Sequence, residues 1–362
     1  MPYLIDAHED IAYNFLTFNR DYRRPVSETR QIEDGTAVIP ATGQSVLGWD
    51  AYQQGQVALI FATIFVMPKR YKSGKFENQD FSSPAEATRK MHAQVDYYQR
   101  LCDESPDMFA LVRSKADLKQ VLAPWQAAEP GPHPVGLVLS IEGAEGIGAM
   151  ADLEEWQDLG VRFLGPVWAG TRFCAGTFEG DRFTKEGLAL LEALAGLGYT
   201  LDIAHMAEVS ALEALDRYPG TIIASHANAS GLIGGERAQR RHLSDQVIRR
   251  LGERDGVIGV LPYNRFIVPQ WKNTDPREDV PLSKLVDHID HICQLTGSVR
   301  HVAVGTDFDG GFGWPAVPLE INTIADLQKL VPILEQRGFS SADTDAVFHG
   351  NWLKILEKTL PA

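Results

Sequence analysis

Short apolar runs alternate with helix-like segments along almost the whole of this 362-residue chain. Such alternation is typical of βα units, which build a parallel sheet covered by helices. Eight runs have the length and composition of strands, and eight strands close a TIM-type barrel. We therefore predict an α/β fold, a (β/α)8 barrel that forms a single domain over residues 1–362. The predicted strands are Tyr3–Ala7, Val57–Phe65, Val135–Glu142, Val161–Val167, Thr200–Ala204, Thr221–Ser225, Val257–Pro262 and Val302–Thr306.

Long polar segments and two extra helices complete this predicted barrel. Helices over Ile324–Arg337 and Ala342–Thr359 follow the last strand. Segments this long inside a compact domain usually act as lids or binding loops. Every predicted long loop except Ser73–Ser82 follows a barrel strand, so we expect these loops on the catalytic face. The predicted long loops are Thr17–Gln44, Ser73–Ser82, Ala169–Thr184, Ala227–Arg241 and Asn264–Val280.

The composition excludes several classes of protein. A formal net charge of −14 argues against nucleic acid, which needs a basic face, and against anionic lipid. Three scattered cysteines are too few for a disulfide framework or a thiolate zinc site. No apolar run approaches ~18 residues, so we expect no membrane span. The charged residues within Met1–Asp10 do not suit a signal peptide, and we expect a cytoplasmic protein.

Imidazole and carboxylate side chains occur where the predicted strands end. His8 and Asp10 are two residues apart, so in an extended chain they point the same way and can bind one ion together. Glu142, His205 and His226 end three further strands. A parallel barrel gathers its functional residues at the carboxyl ends of its strands. The sequence therefore predicts a metal centre there, although separate buried polar residues or helix caps remain the plainer interpretation of each residue alone.

Two ions suit this set of side chains better than one. Imidazole and carboxylate are the ligands that zinc accepts when no thiolate is available. Paired ions need a shared ligand, and Glu142 lies between the others in strand order. We predict that Glu142 bridges, that His8 and Asp10 bind one ion, and that His205 and His226 bind the other. Zinc is the expected metal, and a bridging hydroxide is the expected nucleophile.

Asp307 and Asp309 follow the eighth predicted strand. Asp307 is predicted to be the general acid and base that moves protons between the water and the leaving group. The alternative is that Asp307 caps the next helix. Asp309 precedes Gly310, and we assign it to a turn.

These motifs together resemble the membrane dipeptidase family of the amidohydrolase superfamily. The resemblance runs in order from residue 6 to residue 353, and it implies a TIM-type barrel that hydrolyses dipeptides with two zinc ions. The segments that carry it are Asp6–Asp10, Ser140–Gly143, Asp202–His205, Ser225–His226, Gly305–Gly310 and Gly350–Leu353.

The resemblance also implies how substrate is bound. It assigns Arg241 to the substrate carboxylate, which a planar guanidinium can bind through two parallel hydrogen bonds. A solvated loop arginine is the alternative. Tyr263, just after the seventh strand, is also expected in the substrate pocket. Trp168 stands where the family has a histidine near the reacting carbonyl, and Glu145 stands where a second histidine is common.

Three functions remain open at this point. The leading one is a metal-dependent dipeptidase with Glu142 and Asp307 as catalytic residues. The second is a hydrolase of another amide, lactam or ester, because Trp168 changes the substrate side of the pocket. The third is a binding protein without catalysis on the same barrel. The expected partner is a small-molecule substrate, and a homodimer is the expected assembly.

Overall fold

A barrel of eight parallel strands is the centre of the fold in the computed structural model, which describes residues 1–72 and 74–362, apart from the side chain of Arg237. The strands consist largely of buried apolar residues, as expected for strands covered on both faces. They are β1 Leu4–Glu9, β2 Val57–Phe65, β3 Val135–Glu142, β4 Phe163–Gly165, β5 Thr200–Asp202, β6 Ile222–Ile223, β7 Ile258–Val260 and β8 Val302–Val304.

The strands pair in sequence order, and every pairing is parallel. Strands β1 to β6 form one continuous ladder, and β7 pairs with β8. Single parallel bridges between Ala224 and Ile258 and between Glu9 and Phe308 join these two parts. The second bridge brings β8 beside β1, so the sheet closes on itself. The predicted TIM-type α/β barrel is confirmed.

Helices cover the barrel and fill its long connections. Serine side chains cap two of these helices: Ser83 accepts a hydrogen bond from the Glu86 amide, and Ser244 accepts one from the Val247 amide. The α-helices are α1 Ile11–Phe18, α2 Val26–Glu33, α3 Val38–Thr42, α4 Trp49–Gln54, α5 Pro84–Glu104, α6 Lys115–Gln126, α7 Asp152–Asp158, α8 Lys185–Gly196, α9 Glu208–Arg217, α10 Ser230–Ile233, α11 Glu236–Arg241, α12 Asp245–Glu253, α13 Asn264–Ile267, α14 Ser283–Thr296, α15 Leu330–Gln336, α16 Ser341–Asp345 and α17 Asn351–Thr359.

Shorter elements lie between these helices and strands. Phe109–Leu111 is a short extra strand on β3, and Met67–Pro68 pairs with Asp80–Phe81. A π-helix over Ala346–Gly350 joins α16 to α17. The 3-10 helices are Lys69–Tyr71, Ala144–Gly146, Arg277–Asp279, Val299–His301 and Ile324–Lys329.

The predicted loops contain more regular structure than their sequences indicate. The prediction of a loop over Thr17–Gln44 was wrong in part, because α2 and α3 lie inside it. Helix α2 has few apolar residues, and its buried Glu33 is paired with the buried Arg20 at 2.7 Å. A tertiary ion pair of this kind leaves no periodic apolar signal. In the predicted loop Ser73–Ser82, Ser73 lies outside the described residues.

Two glycines allow strands β7 and β8 to approach the end of β6. A Cβ atom at Gly259 or at Gly305 would lie 1.9 Å from the carbonyl oxygen of Ser225. Only glycine leaves room for this approach, because every other residue carries that atom. Ser225 directly precedes His226, so the close approach determines where the histidine leaves its strand.

Candidate metal centre and substrate pocket

Six polar side chains predicted at strand ends lie together at one mouth of the barrel. They lie in, or within a few residues after, strands β1, β3, β5, β6 and β8, and each is almost fully buried. Their possible ligand atoms form three groups, and within each group the atoms lie within 4.8 Å of one another. The groups are His8, Asp10 and Glu142; Glu142, His205 and His226; and His8, His226 and Asp307.

The two carboxylate oxygens of Glu142 face different groups. Oε1 lies 3.0 Å from His205 Nε2 and 3.4 Å from His226 Nε2. Oε2 lies 3.8 Å from His8 Nε2, which is 3.7 Å from Asp10 Oδ2. Glu142 is the last residue of β3, so its side chain projects into the barrel mouth between β1 on one side and β5 and β6 on the other. The Glu142 carboxylate is therefore shared between the group that contains His8 and Asp10 and the group that contains His205 and His226.

All three histidines are oriented by hydroxyl groups on their other ring nitrogen. Nδ1 of His205 is 2.9 Å from the Thr177 hydroxyl, and Nδ1 of His226 is 2.8 Å from the Ser225 hydroxyl. Nδ1 of His8 is 3.3 Å from the Thr63 hydroxyl. Each ring thus keeps Nε2 for the centre of the site. Metal-binding histidines commonly have such an outer partner, because it restrains the ring and selects the tautomer.

Two further aspartates connect the strand ends that carry these ligands. Asp6 accepts hydrogen bonds from the Thr306 amide at 2.7 Å and from the Thr306 hydroxyl. That contact ties β1 to the segment that leads to Asp307. Asp202 accepts from the amides of Ala204 and Ser225, both at 2.9 Å. It therefore restrains the segments that carry His205 and His226 together.

Two of the clustered residues have a left-handed backbone. His205 has a φ of 64° and Asp307 has a φ of 54°, in a region that favours glycine. Such conformations cost free energy and persist only where the surroundings impose them. Both residues follow a strand end and both line the cavity, so we interpret the left-handed backbone as part of what orients these two side chains.

Burial and mutual charge shift the pKa of every group in the cluster. Burial lowers the pKa of His205 and His226 well below the usual value, and the positive charge of Arg241 adds to this. Burial also lowers the pKa of His8, but Glu142, Asp10 and Asp307 outweigh it and raise that pKa to about 10. Burial raises the pKa of the carboxyl groups of Asp10, Glu142 and Asp307. Buried carboxylates in such number are stable in the charged form only beside cations.

The donor set fits divalent metal ions. Three buried atoms in it have no hydrogen-bond partner among the described residues: His8 Nε2, Asp10 Oδ1 and Glu142 Oε1. A buried polar atom without a partner is costly, so these atoms call for a ligand. Imidazole and carboxylate donors suit zinc, while magnesium and calcium prefer oxygen donors alone. The residues present therefore match a zinc-type site.

A cavity of about 420 Å³ opens above the cluster. Arg241, predicted to bind a carboxylate, lies in its wall. It is 4% exposed, and its Nη1 donates to the His226 carbonyl at 3.1 Å. The alternative of a solvated arginine is therefore wrong. Tyr263 and Trp168 also line the cavity.

Asp309 lies apart from the cluster. It is in a turn, as predicted, but its side chain is fully buried under the barrel mouth. It accepts hydrogen bonds from the hydroxyls of Ser45 at 2.6 Å and Tyr22 at 3.0 Å, and from the Val46 amide at 3.0 Å. Asp309 thus anchors the segment after α3, whereas Asp307 faces the cavity.

Comparison with known proteins assigns the chain to a family. Residues 2–360 match the family model described as membrane dipeptidase, peptidase family M19. This chain belongs to peptidase family M19. It is accordingly a metal-dependent hydrolase.

Sequence relatives of this M19 protein include uncharacterized and dipeptidase-named proteins. An uncharacterized dipeptidase of Schizosaccharomyces pombe is 26% identical over 363 residues, which cover 98% of this chain and 80% of the relative. A Klebsiella pneumoniae protein, described as uncharacterized and from the pqqA 5′ region, is 32% identical over 233 residues. That match covers 62% of this chain and 82% of the relative.

A solved structure shares the fold of this M19 protein. It is a Rhodobacter sphaeroides metallopeptidase liganded with a phosphinate mimic of the dipeptide L-Ala-D-Ala. The two chains are 22% identical, superpose with a TM-score of 0.79, and cover 99% of each other.

Within the described part of this M19 chain, no helix combines the length and the hydropathy that crossing a membrane requires.

Several residues of the site had no predicted role, although two of them begin segments that carry the family resemblance. Asp6 and Asp202 orient the strand ends, and Thr177 lies in a loop far from its partner His205 in the chain. Asp6 could have been found, because it shares the alternation of His8 and Asp10 on one strand face. The loop Ala169–Thr184 was expected on the catalytic face, but nothing in its sequence distinguishes Thr177 or Phe178 from its other residues.

Proposed function

We propose that this M19 protein is a dipeptidase that binds two zinc ions at the barrel mouth. The observation that carries the proposal is the division of the Glu142 oxygens between two ligand groups. His8 and Asp10 would hold one ion, and His205 and His226 the other. When bound, such ions supply an activated water and polarise the amide carbonyl.

The remaining residues position the substrate and move protons. The Asp307 carboxyl lines the cavity beside the ligands, with Oδ1 3.8 Å from His8 Nε2. From there it can accept a proton from the attacking water and deliver it to the departing amine. Arg241 is the only arginine lining the cavity within the described residues, and it would bind the free carboxylate of a dipeptide. Tyr263 and Trp168 would contact the rest of the substrate.

Hydrolysis of dipeptides by zinc-loaded protein tests this function directly. The panel should contain free dipeptides, the same dipeptides amidated at the carboxyl end, and N-acetylated amino acids, with release of amino acids as the measurement. Free dipeptides should be cleaved, and amidation should abolish most of the activity because Arg241 then lacks its carboxylate. If the zinc-loaded protein hydrolyses none of the free dipeptides, the proposal is contradicted.

Metal removal should lower the stability of the fold. Without cations, the buried carboxylates and the unpartnered atoms of the cluster are left uncompensated. Binding of an ion at 100 times its Kd stabilises a fold by about 2.7 kcal/mol. We expect chelated protein to melt several degrees below zinc-loaded protein, as measured by calorimetry.

Magnesium provides the control for this melting experiment. Zinc should restore the melting temperature of chelated protein, and an equal concentration of magnesium should not, since magnesium prefers oxygen ligands in octahedral geometry. An identical melting temperature with and without zinc, together with no zinc in elemental analysis, would show that these residues hold no metal.

A second candidate function is hydrolysis of another amide, lactam or ester in the same pocket. Trp168 favours it, because indole offers one N–H donor and cannot titrate. The Trp168 ring lies 6.1 Å from the His205 ring, centre to centre, so it borders the place where the reacting carbonyl must lie.

Replacing Trp168 by histidine tests whether this residue sets the substrate preference. Trp168→His should raise kcat on small dipeptides, because one donor to a developing oxyanion is worth roughly 2.7–4 kcal/mol in favourable cases. The measurement is kcat and KM on alanine dipeptides for both proteins, with melting curves in parallel. A lowered melting temperature with an unchanged substrate profile would instead give Trp168 a packing role alone.

We also propose that the chain forms a single domain and binds no nucleic acid. One cluster of buried apolar residues runs from Tyr3 to Leu360, and this supports a single domain over residues 1–362. The net charge of −14 supports the absence of nucleic-acid binding. A cytoplasmic location and a homodimer stay predictions.

A further inference from the structure

Four aromatic side chains form a continuous wall beside the cavity: Phe65, Trp168 and Phe178 line it, and Tyr71 packs behind Trp168 and Phe178. We call them the aromatic wall. Its members come from β2, from the 3-10 helix after it, and from the segment that follows β4. They are Phe65, Tyr71, Trp168 and Phe178.

Trp168 is the centre of the aromatic wall. Its ring lies 5.4 Å from Phe65, 5.6 Å from Tyr71 and 5.4 Å from Phe178, measured between ring centres. Tilted and edge-on arrangements at these distances are favourable for aromatic pairs. The same ring borders His205 in the metal cluster. The wall thus begins at the reacting centre and continues outward to the mouth of the cavity.

An ion pair holds the outer part of the wall in place. Glu179 accepts hydrogen bonds from Arg70 at 2.5 and 2.8 Å and from the Tyr71 hydroxyl at 2.6 Å. These bonds join the segment after β4 to the 3-10 helix after β2. As a result Tyr71 stacks on Phe178, with ring centres 5.1 Å apart. The wall is therefore assembled without a ligand.

Phe178 leaves apolar surface in contact with water at the cavity mouth. It is 40% exposed, and it is one of five large hydrophobic residues that are exposed among the described residues. It is also the only one of these five that lines the cavity. Exposed aromatic surface in a pocket favours an apolar ligand group that covers it.

The Tyr71 ring is already in contact with a cation. The Arg70 guanidinium lies 5.2 Å from the centre of that ring, and Glu179 neutralises its charge. The cation site that this ring could offer to a ligand is therefore occupied by the protein itself. The exposed ring of Phe178 remains for a flat apolar group.

We propose that the aromatic wall is a specificity subsite for an aromatic side chain of the substrate. This inference rests on the proposed dipeptidase function and deepens it, because it names the class of dipeptide that the pocket prefers. Either residue of a dipeptide can supply such a side chain, and a panel with the aromatic residue in each position identifies which one the wall binds.

The test compares zinc-loaded protein on Phe-Ala, Ala-Phe, Lys-Ala and Ala-Ala. We expect kcat/KM for one of the two phenylalanine dipeptides to exceed that for Ala-Ala by about 10- to 100-fold, the range expected from burying one such side chain. Turnover of Ala-Ala with no preference for either phenylalanine dipeptide would overturn the subsite alone. A preference for Lys-Ala would overturn it as well. Failure to cleave any of the four would contradict the dipeptidase function itself.

Variants of the wall connect that preference to these residues. Trp168→Ala removes the centre of the wall, and Phe178→Ala removes an exposed ring without opening the core. Each should lower the ratio of kcat/KM between the preferred phenylalanine dipeptide and Ala-Ala by about 10-fold or more, mainly through a higher KM. Leu319→Ala is the matched control, because Leu319 is 44% exposed and does not line the cavity. It should leave the ratio unchanged, and an unchanged ratio in Phe178→Ala and Trp168→Ala would contradict the proposal.

Discussion

Glu142→Gln should leave the protein with fewer bound ions and almost no hydrolytic activity. The amide keeps the shape of the carboxylate but loses the negative charge that both ligand groups share. We expect zinc content to fall below two ions per chain, and kcat/KM for dipeptides to fall by several orders of magnitude. Elemental analysis and dipeptide hydrolysis of the same preparation measure both quantities.

Glu145→Gln is the matched control for that experiment. Glu145 lies three residues further along, burial raises its pKa to about 7, and it belongs to none of the candidate ligand groups of the described residues. Its substitution should leave the zinc content at the wild-type value. If Glu142→Gln still binds two ions tightly and turns over at a near-normal rate, Glu142 is not the bridging ligand.

Asp307→Asn should abolish most of the turnover while the metal stays bound. The amide fits the same space but cannot accept a proton. General acid–base catalysis contributes about 10²- to 10⁴-fold, so we expect kcat to fall by that factor with zinc content close to wild type. Asp307 also belongs to a candidate ligand group with His8 and His226. Loss of an ion from the variant would therefore move Asp307 from proton transfer to metal binding.

Asp309→Asn separates catalysis from structure at the same strand end. Asp309 is fully buried and accepts hydrogen bonds from Ser45 and Tyr22, and its carboxylate lies 3.7 Å from the buried Arg20. Its substitution should destabilise the fold by about 1–3 kcal/mol, because buried partners lose a charged acceptor. The kcat of the folded protein should stay near the wild-type value. Equal losses of kcat in both variants would argue against a specific role of Asp307.

The strands were predictable because their signal is local. Val57–Phe65 and Val135–Glu142 were predicted with the bounds that the structure has, since each is a near-continuous apolar run between polar segments. Strand β6 was predicted over Thr221–Ser225, but the strand spans only Ile222–Ile223, followed by a single bridge from Ala224 to Ile258. Its end diverges because the Ser225 carbonyl packs against Gly259 and Gly305. That contact joins residues distant in the chain and leaves no trace near Thr221.

The ligand types were equally accessible from the sequence, whereas their supporting partners were not. Histidine and carboxylate at strand ends indicate metal chemistry by residue type and position alone. The hydroxyl of Thr177 contacts His205 from a long loop, and Asp202 accepts a hydrogen bond from the amide of Ser225, just beyond the next strand. Partners of this kind depend on how the loops pack, so a local pattern does not reveal them.

The sequence by itself determined the barrel, its strand order and the set of side chains available for metal chemistry, because periodicity, residue type and chain order are properties of short segments. Only the tertiary structure decided which oxygen of Glu142 faces which histidine, that Arg241 is buried beside His226, and that Trp168 joins an aromatic wall with Phe178. The physical reason is distance along the chain. The closing of the barrel and the packing of its long loops bring these groups within a few ångströms, and both result from contacts summed over the whole fold.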